Sequence, residues 1–399
     1  PWIPYVSNTL LLDEATYGDR ARWEGLESRW FASGSAYRAL DSIDGGHSPI
    51  FQRWLEHPTY DAYWSRLIPQ GAEYRGIDIP VLTITGYFDG AQLGAMHYLR
   101  EHHRYNPAAD HTLLIGPWDH FGAQARPSPR VAGYAIDPAA QVDVTALIYQ
   151  WFDHVFRGGP RPALLADRVN WQVMGTDAWR HSSSLAAMSP DTLTFYLDTA
   201  GTSGRHTLAT RPGTGAVRQT VNLADRTVTT RNFIHNPLAD TVLDAANGVA
   251  YVSEPLREPV VLAGSFLGEL YLTTNKRDVD LGIVLYEQTP DGDYFQLSVY
   301  LGRASLAHDR TQRRLLTPGR VESIPFGDTR MIAKRIEAGS RLVLVVNVNK
   351  SPQNPVNYGS GREVSDETIA DAGAPMQLEW HATSFVRIPV APVEVESRP

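Results

Sequence analysis

A chain of 399 residues exceeds one ordinary domain, and a composition 43% hydrophobic and 20% charged is that of a globular protein. The formal net charge of −8 works against binding phosphate, so the charge balance excludes a nucleic-acid partner, and no run reaches the roughly 18 apolar residues of a membrane span. With no cysteine, disulfides, thiolate catalysis and cysteine-ligated zinc are excluded as well.

Pro1-Trp2-Ile3-Pro4 carries neither an initiator Met nor the charged and apolar regions of a leader, and reads as the interior of a longer polypeptide. Residues 36 to 68 read as helices, with Phe51, Trp54 and Leu55, then Tyr60, Tyr63 and Trp64, at helical spacing. Ile79 to Thr85 is a continuous apolar and β-branched run ending at Gly86, the pattern of a strand buried on both faces. Gly94 to Arg104 predicts a helix, and His111 to Ile115 a second buried strand closed by Gly116-Pro117. Val144 to Phe156 predicts another helix, with Leu147, Trp151, Phe152 and Phe156 on one face.

Strand, helix, strand, helix indicates an α/β sheet with crossover connections, but two core strands are too few to complete one. Further strands are therefore expected before Pro1. Gly158-Gly159-Pro160 marks a domain boundary. Beyond it, short strand-like runs recur: Asn170–Val173, Leu193–Leu197, Val260–Ala263, Glu269–Thr274, Leu281–Tyr286, Gln296–Leu301, Arg341–Val348 and Gln377–Pro389. Turn residues separate them, which predicts a β-sandwich of jelly-roll type.

Two strand ends carry chemistry. Gly86-Tyr87-Phe88-Asp89-Gly90 puts a carboxylate just past the first buried strand, and Gly116-Pro117-Trp118-Asp119-His120 puts an imidazole just past the second. The crevice beyond the carboxyl ends of such strands is where open α/β sheets bind ligands. An Asp followed by a His matches the chain order of an α/β-hydrolase triad: the His moves the proton, and the Asp fixes its tautomer and stabilises the imidazolium. The alternative is that Asp89 caps a helix starting at Gly90 and His120 is a loop residue.

Several segments resemble one family of serine hydrolases, that of cocaine esterase, α-amino-acid ester hydrolase and X-Pro dipeptidyl-peptidase. They are Ala36-Tyr37-Arg38, His57-Pro58-Thr59-Tyr60-Asp61-Ala62-Tyr63-Trp64, Ile79-Pro80-Val81-Leu82, the run ending at Asp89, and Gly116 to His120. In the second half, Val173 to Trp179, Lys276 to Asp280 and Asn357 to Gly361 resemble its C-terminal jelly-roll domain. Phe121 and Asp119 depart from the family pattern beside the site. The resemblance implies an α/β-hydrolase lacking its N-terminal strands over residues 1–160, a helical lid at about 36–75, and a jelly-roll sandwich over 165–399. Asp89 and His120 are then two triad members.

The family's nucleophile is a Ser in a Gly-x-Ser-Tyr-x-Gly elbow, and no Gly-x-Ser-x-Gly occurs here. Ser35 lacks a preceding strand and the second Gly, so it reads as an ordinary loop residue. The nucleophile and the oxyanion donors are therefore expected in a preceding segment of the same protein, and residues 1–399 alone are expected to be inert.

By the same resemblance Asp61, Tyr60 and Tyr87 are candidate substrate-binding residues, Asp61 as part of a carboxylate cluster that receives an ammonium group. That Asp61 caps or braces the lid stands equally open. The implied substrate is a small-molecule ester or amide, or a short peptide, cleaved without cofactor or metal. Glu101-His102-His103 lacks the i, i+4 His pair of a zinc helix, and Asp278-Val279-Asp280 and Asp291-Gly292-Asp293 read as sheet-edge turns rather than calcium loops. Homo-oligomerisation stays open. Localisation stays unknown, with a periplasmic or secreted site preferred over the cytoplasm. A rival reading from another class is a non-enzymatic jelly-roll binding protein on a decayed hydrolase scaffold.

Overall fold

The computed structural model describes Val6 and residues 13–202, 204–230 and 237–393. The first elements are helical and are set by their caps. Helix α1, Arg20–Ser33, starts where Asp19 accepts a hydrogen bond from the Arg22 amide (2.9 Å) and stops at Gly34, whose φ of 65° a side chain would strain. It buries Trp23, Leu26, Trp30 and Phe31. Ser48 caps α2, Pro49–Leu55, which has Pro at its start, and Asp61 caps the single-turn α3, Ala62–Ser65. The region expected to be a lid is thus helical but broken into short turns.

Two strands follow, β1 (Val81–Gly86) and β2 (His111–Gly116), with helix α4 (Gln92–Tyr105) crossing between them. Helix α5, Val144–Arg157, leads to β3 (Val169–Val173) and β4 (Ala178–Ser182). These four strands form one sheet in the order β1-β2-β3-β4, the first three parallel and β4 antiparallel to β3. The sheets therefore divide after Ser182, beyond the Gly158-Gly159-Pro160 turn. That turn only reverses the chain so that Val169–Val173 can lie beside β2.

Helix α5 carries the expected apolar face, but that face is covered only at its start. Only Val144 and Leu147 are buried, whereas Phe152 and Phe156 are 42% and 76% exposed. Periodicity gave the apolar face, but nothing among the described residues covers its far end.

Among the described residues, the rest is a fourteen-stranded β network with only short helical turns. Its longer strands are β5 (Asp191–Thr202), β6 (Arg205–Ala209), β7 (Ala216–Val221), β8 (Gly248–Val252), β9 (Val260–Gly264), β10 (Leu267–Thr274), β11 (Asp280–Gln288), β12 (Tyr294–Arg303), β13 (Val321–Phe326), β14 (Ile332–Ile336), β15 (Arg341–Val348), β16 (Met376–His381) and β17 (Phe385–Ala391). The expected run Gln377–Pro389 is in fact two strands, β16 and β17, joined by a turn. Strand β10 alternates buried Leu270 and Leu272 with half-buried Tyr271 and Thr273, the pattern of a sheet with one wet face. Central β11 and β15 are apolar on both sides. Ile283, Leu285, Leu344 and Val346 enter the main core, and Val284, Tyr286, Val343 and Val345 form a second cluster behind it.

The two sheets are joined at defined points. Met174 donates to the Ala333 carbonyl and accepts from the Arg335 amide (3.1 and 3.0 Å). The buried Gln92 side chain accepts from the Met331 amide (2.7 Å) and donates to the Met331 carbonyl (2.9 Å). Ile369 donates to the Gly34 carbonyl (2.8 Å), and Arg38 pairs with Asp366 beside it.

Candidate active site

The register of β1 and β2 builds the site. Val81 lies opposite His111 and Gly86 opposite Gly116, so both strands end at the same level. The ladder then runs on past them: Tyr87 donates to the Gly116 carbonyl (2.8 Å) and Phe88 to the Trp118 carbonyl (3.1 Å). Gly86 is required here, because a Cβ at this position would overlap the Trp118 carbonyl oxygen. A Cβ on Gly116 would come within 2.8 Å of the Trp118 ring. Trp118 itself is fully buried and donates its indole hydrogen to the Ala140 carbonyl (2.8 Å), which fixes the loop that carries His120.

These constraints bring Asp89 and His120 together, with Asp89 Oδ1 2.9 Å from His120 Nδ1. The same oxygen accepts from the Ala91 amide (2.8 Å), and Oδ2 accepts from the buried Thr85 hydroxyl (3.1 Å). Asp89 is almost wholly buried, whereas the His120 side chain is 56% exposed. A buried carboxylate with every near donor engaged holds the imidazole through Nδ1, leaving Nε2 directed outward. Among the described residues no hydroxyl reaches Nε2. Asp89 is not the cap of α4, whose N-cap is Ala91 without a side-chain hydrogen bond; its bond to the Ala91 amide lies just before the helix.

Sequence reasoning missed two neighbours. Thr85 is readable only once Asp89 is placed. Arg330 comes from the second half, 241 positions beyond Asp89, with no local signal. Burial lowers the Arg330 pKa, while the nearby Asp89 charge works in the opposite direction.

The three candidate substrate residues behave differently. Tyr87 is a correction: it is 1% exposed, and its hydroxyl donates to the Gln172 carbonyl (2.7 Å), tying the end of β1 to β3. Burial raises its pKa well above the usual phenol value, so it is an interior anchor and presents nothing to a substrate. Asp61 and Tyr60 lie together on the helical region. Asp61 Oδ1 accepts from the Tyr63 amide (2.8 Å), and Oδ2 lies 2.6 Å from His57 Nδ1, whose ring stacks on Tyr63 at 4.2 Å. The His57 hydrogen bond is the main cause that lowers the Asp61 pKa. The Tyr60 hydroxyl accepts from Gln70 (3.0 Å). Asp61 therefore braces its helix, with part of the carboxylate still open to solvent.

Among the described residues no group of three His, Asp or Glu side chains is placed to hold a metal ion, and no helix is long and apolar enough to cross a membrane. Asp278 is enclosed by Ser305 and Arg313, and Asp280 by Arg303 and Asn357, so both carboxylates of that segment are engaged.

Comparison with known proteins agrees with this organisation. Residues 4–122 match the X-Pro dipeptidyl-peptidase (S15 family), and residues 165–379 match the X-Pro dipeptidyl-peptidase C-terminal non-catalytic domain. Cocaine esterase of Rhodococcus sp. (strain MB1 Bresler) is 22% identical over 343 residues, covering 81% of this chain and 57% of the esterase. Among solved structures, an aminopeptidase from a marine sediment Thaumarchaeota archaeon superposes with a TM-score of 0.76 at 16% identity, over 91% of this chain and 63% of that one. An α-amino acid ester hydrolase gives 0.69 at 19% identity, over 92% and 64%. At these identities the structures testify to the shared fold. The chain spans less than two thirds of the length of each of these three relatives. One family model alone covers residues 165–379, more than half of the sequence, and so the chain belongs to the X-Pro dipeptidyl-peptidase family, as a member carrying its C-terminal non-catalytic domain.

Proposed function

We propose that the protein is a serine hydrolase that cleaves esters or amides of a small acyl group through an acyl-enzyme, with His120 as general base and acid and Asp89 as its orienting carboxylate. The observation that carries this reading is the 2.9 Å contact between buried Asp89 and exposed His120 at the ends of two parallel strands. Asp89 selects the tautomer with hydrogen on Nδ1, so the Nε2 lone pair is free to take a proton from a hydroxyl and return it to the leaving group.

The nucleophile in this reading is a Ser in polypeptide outside residues 1–399. Two features support that. No Gly-x-Ser-x-Gly occurs in the sequence, and β1 pairs only with β2 among the described residues, leaving an edge on which a further parallel strand fits. The helical region at about 36–75 is read as the lid and residues 165–399 as the jelly-roll partner. Substrates are short peptides or small esters and amides.

Labelling of the intact protein with a fluorophosphonate, followed by peptide mapping, tests the proposal. The expected adduct is on a Ser outside residues 1–399, and His120→Ala abolishes it. An adduct on a Ser within these residues would overturn the placement of the nucleophile. A folded intact protein with no labelling and no ester hydrolysis would overturn the enzyme reading in favour of a binding protein.

A further inference from the structure

At the other end of β1 and β2 from Asp89 lies a cluster of three imidazoles unused by the proposed chemistry. His111 opens β2, and His102 and His103 sit in the last turn of α4. His102 Nδ1 is 3.0 Å from His111 Nδ1, His102 Nε2 is 3.0 Å from the Ile77 carbonyl, and His111 Nε2 is 2.7 Å from the Thr83 hydroxyl. His103 Nε2 is 3.1 Å from the His111 carbonyl, and its Nδ1 is buried without a partner.

Donor and acceptor roles in this chain follow from one fixed point. A carbonyl only accepts, so the neutral His102 carries its hydrogen on Nε2 and offers a lone pair at Nδ1. His111 Nδ1 must then be the donor, which leaves its Nε2 to accept from Thr83. Thr83, His111, His102 and Ile77 form one directed relay that ties β1, β2, α4 and the segment entering β1. The relay takes another proton only by reversing or losing one of its bonds. Protonating His102 at Nδ1 sets two N–H groups against each other at 3.0 Å, and protonating His111 at Nε2 reverses its bond to Thr83, whose hydroxyl must then accept and turn its own hydrogen elsewhere.

We propose that this cluster is an acid-sensitive latch: protonation of its imidazoles releases the hold of α4 on the lower ends of β1 and β2. The surroundings offer no compensation. Burial and the two neighbouring imidazoles lower the His111 pKa to about 4, and burial also lowers that of His103, with Arg168 adding to the effect. Tyr74, packed on His102 at 6.4 Å, has its pKa raised to about 12 by burial and stays neutral. Arg161 binds the hydroxyl of Thr112, next to His111. Glu101 on α4 is paired with Arg104, and Asp110 is exposed. No carboxylate is among the groups acting on His103 or His111.

Because the folded-state pKa of His111 is depressed, the folded chain binds fewer protons than the unfolded one between pH 6.5 and about 4. Stability from the latch is full above pH 6.5 and is lost as pH falls through that window. Two measurements on the intact protein test this. Hydrogen exchange, corrected for intrinsic rate, should show the amides of Val81–Gly86 and His111–Gly116 at least tenfold less protected at pH 5 than at pH 7.5, with no such change in β11 and β15. His102→Gln/His111→Gln should flatten the fall in Tm over the same range. Equal loss of protection throughout the protein, or an unchanged pH slope in the variant, would overturn the proposal. Should the variant fail to fold, ¹⁵N NMR of the wild-type imidazoles decides: hydrogen on His111 Nδ1 and His102 Nε2 supports the latch, and any other tautomer pair refutes it.

Discussion

Asp89 serves His120 and the approach to α4 with the same oxygen, while Thr85 holds the other. That division explains why a carboxylate so deeply buried persists: three donors surround it, and the imidazole is the exposed one. In the intact protein His120→Ala should lower kcat by about 10³–10⁴-fold or more with little change in KM, as expected for a group that acts in the transition state. A drop confined to KM would remove His120 from the chemistry. Asp61 makes a different prediction. Its pKa is lowered chiefly by the His57 hydrogen bond, so its stabilising effect is present above the unfolded value of 3.8 and is lost as pH falls through the lower folded value. Asp61→Asn should reduce Tm at pH 7, and the deficit should close below pH 3.8. If Asp61 also receives a substrate ammonium, the variant raises KM for α-amino esters and spares simple aryl esters; equal losses on both mean that bracing is its whole role.

At the scale of elements, the site depends on how closely β1 and the Trp118 loop approach. Gly86→Ala forces the backbone of that loop away and should cost about 1–3 kcal/mol, read as a lower urea midpoint with an unchanged slope. It should also impair catalysis more than its stability cost explains, because the displaced loop carries His120. An Ala variant with wild-type stability would show that the approach is not constraining. Elements were legible in the sequence where one-dimensional pattern sufficed. The apolar run ending at Gly86 and the periodicity of 94–104 yield the observed elements to within a few residues, whereas in the second half Arg205–Ala209, Ala216–Val221, Gly248–Val252, Val321–Phe326 and Ile332–Ile336 were not foreseen. Helix α5 was legible as a helix but not in its burial, since Phe152 and Phe156 depend on what packs against them.

For the whole molecule, Gln92 is the small part on which the junction of the halves turns. Its side chain is buried, and it also donates to the Gly86 carbonyl (3.0 Å), directly beneath the site. Gln92→Leu leaves the Met331 amide and carbonyl without these partners, at a cost of about 1–3 kcal/mol for each group left unsatisfied. Calorimetry should then resolve unfolding of the α/β part ahead of the β network. One cooperative transition at an unchanged Tm would show that the other contacts, at Met174 and Ile369, suffice to couple the halves.

The sequence by itself determined the two strands, their glycine ends, and the Asp and His that follow them, because each rests on local pattern: apolar runs, tight turns and the position of a side chain just past a strand. It also determined the family, through motifs spread across both halves. Only the tertiary structure decided that Tyr87 points inward to Gln172, that residues 169–182 join the first sheet, and that Arg330 lies near Asp89. Those facts depend on which strand lies beside which. Strand pairing is a contact between residues far apart in the chain, and a single sequence carries no record of it at either partner.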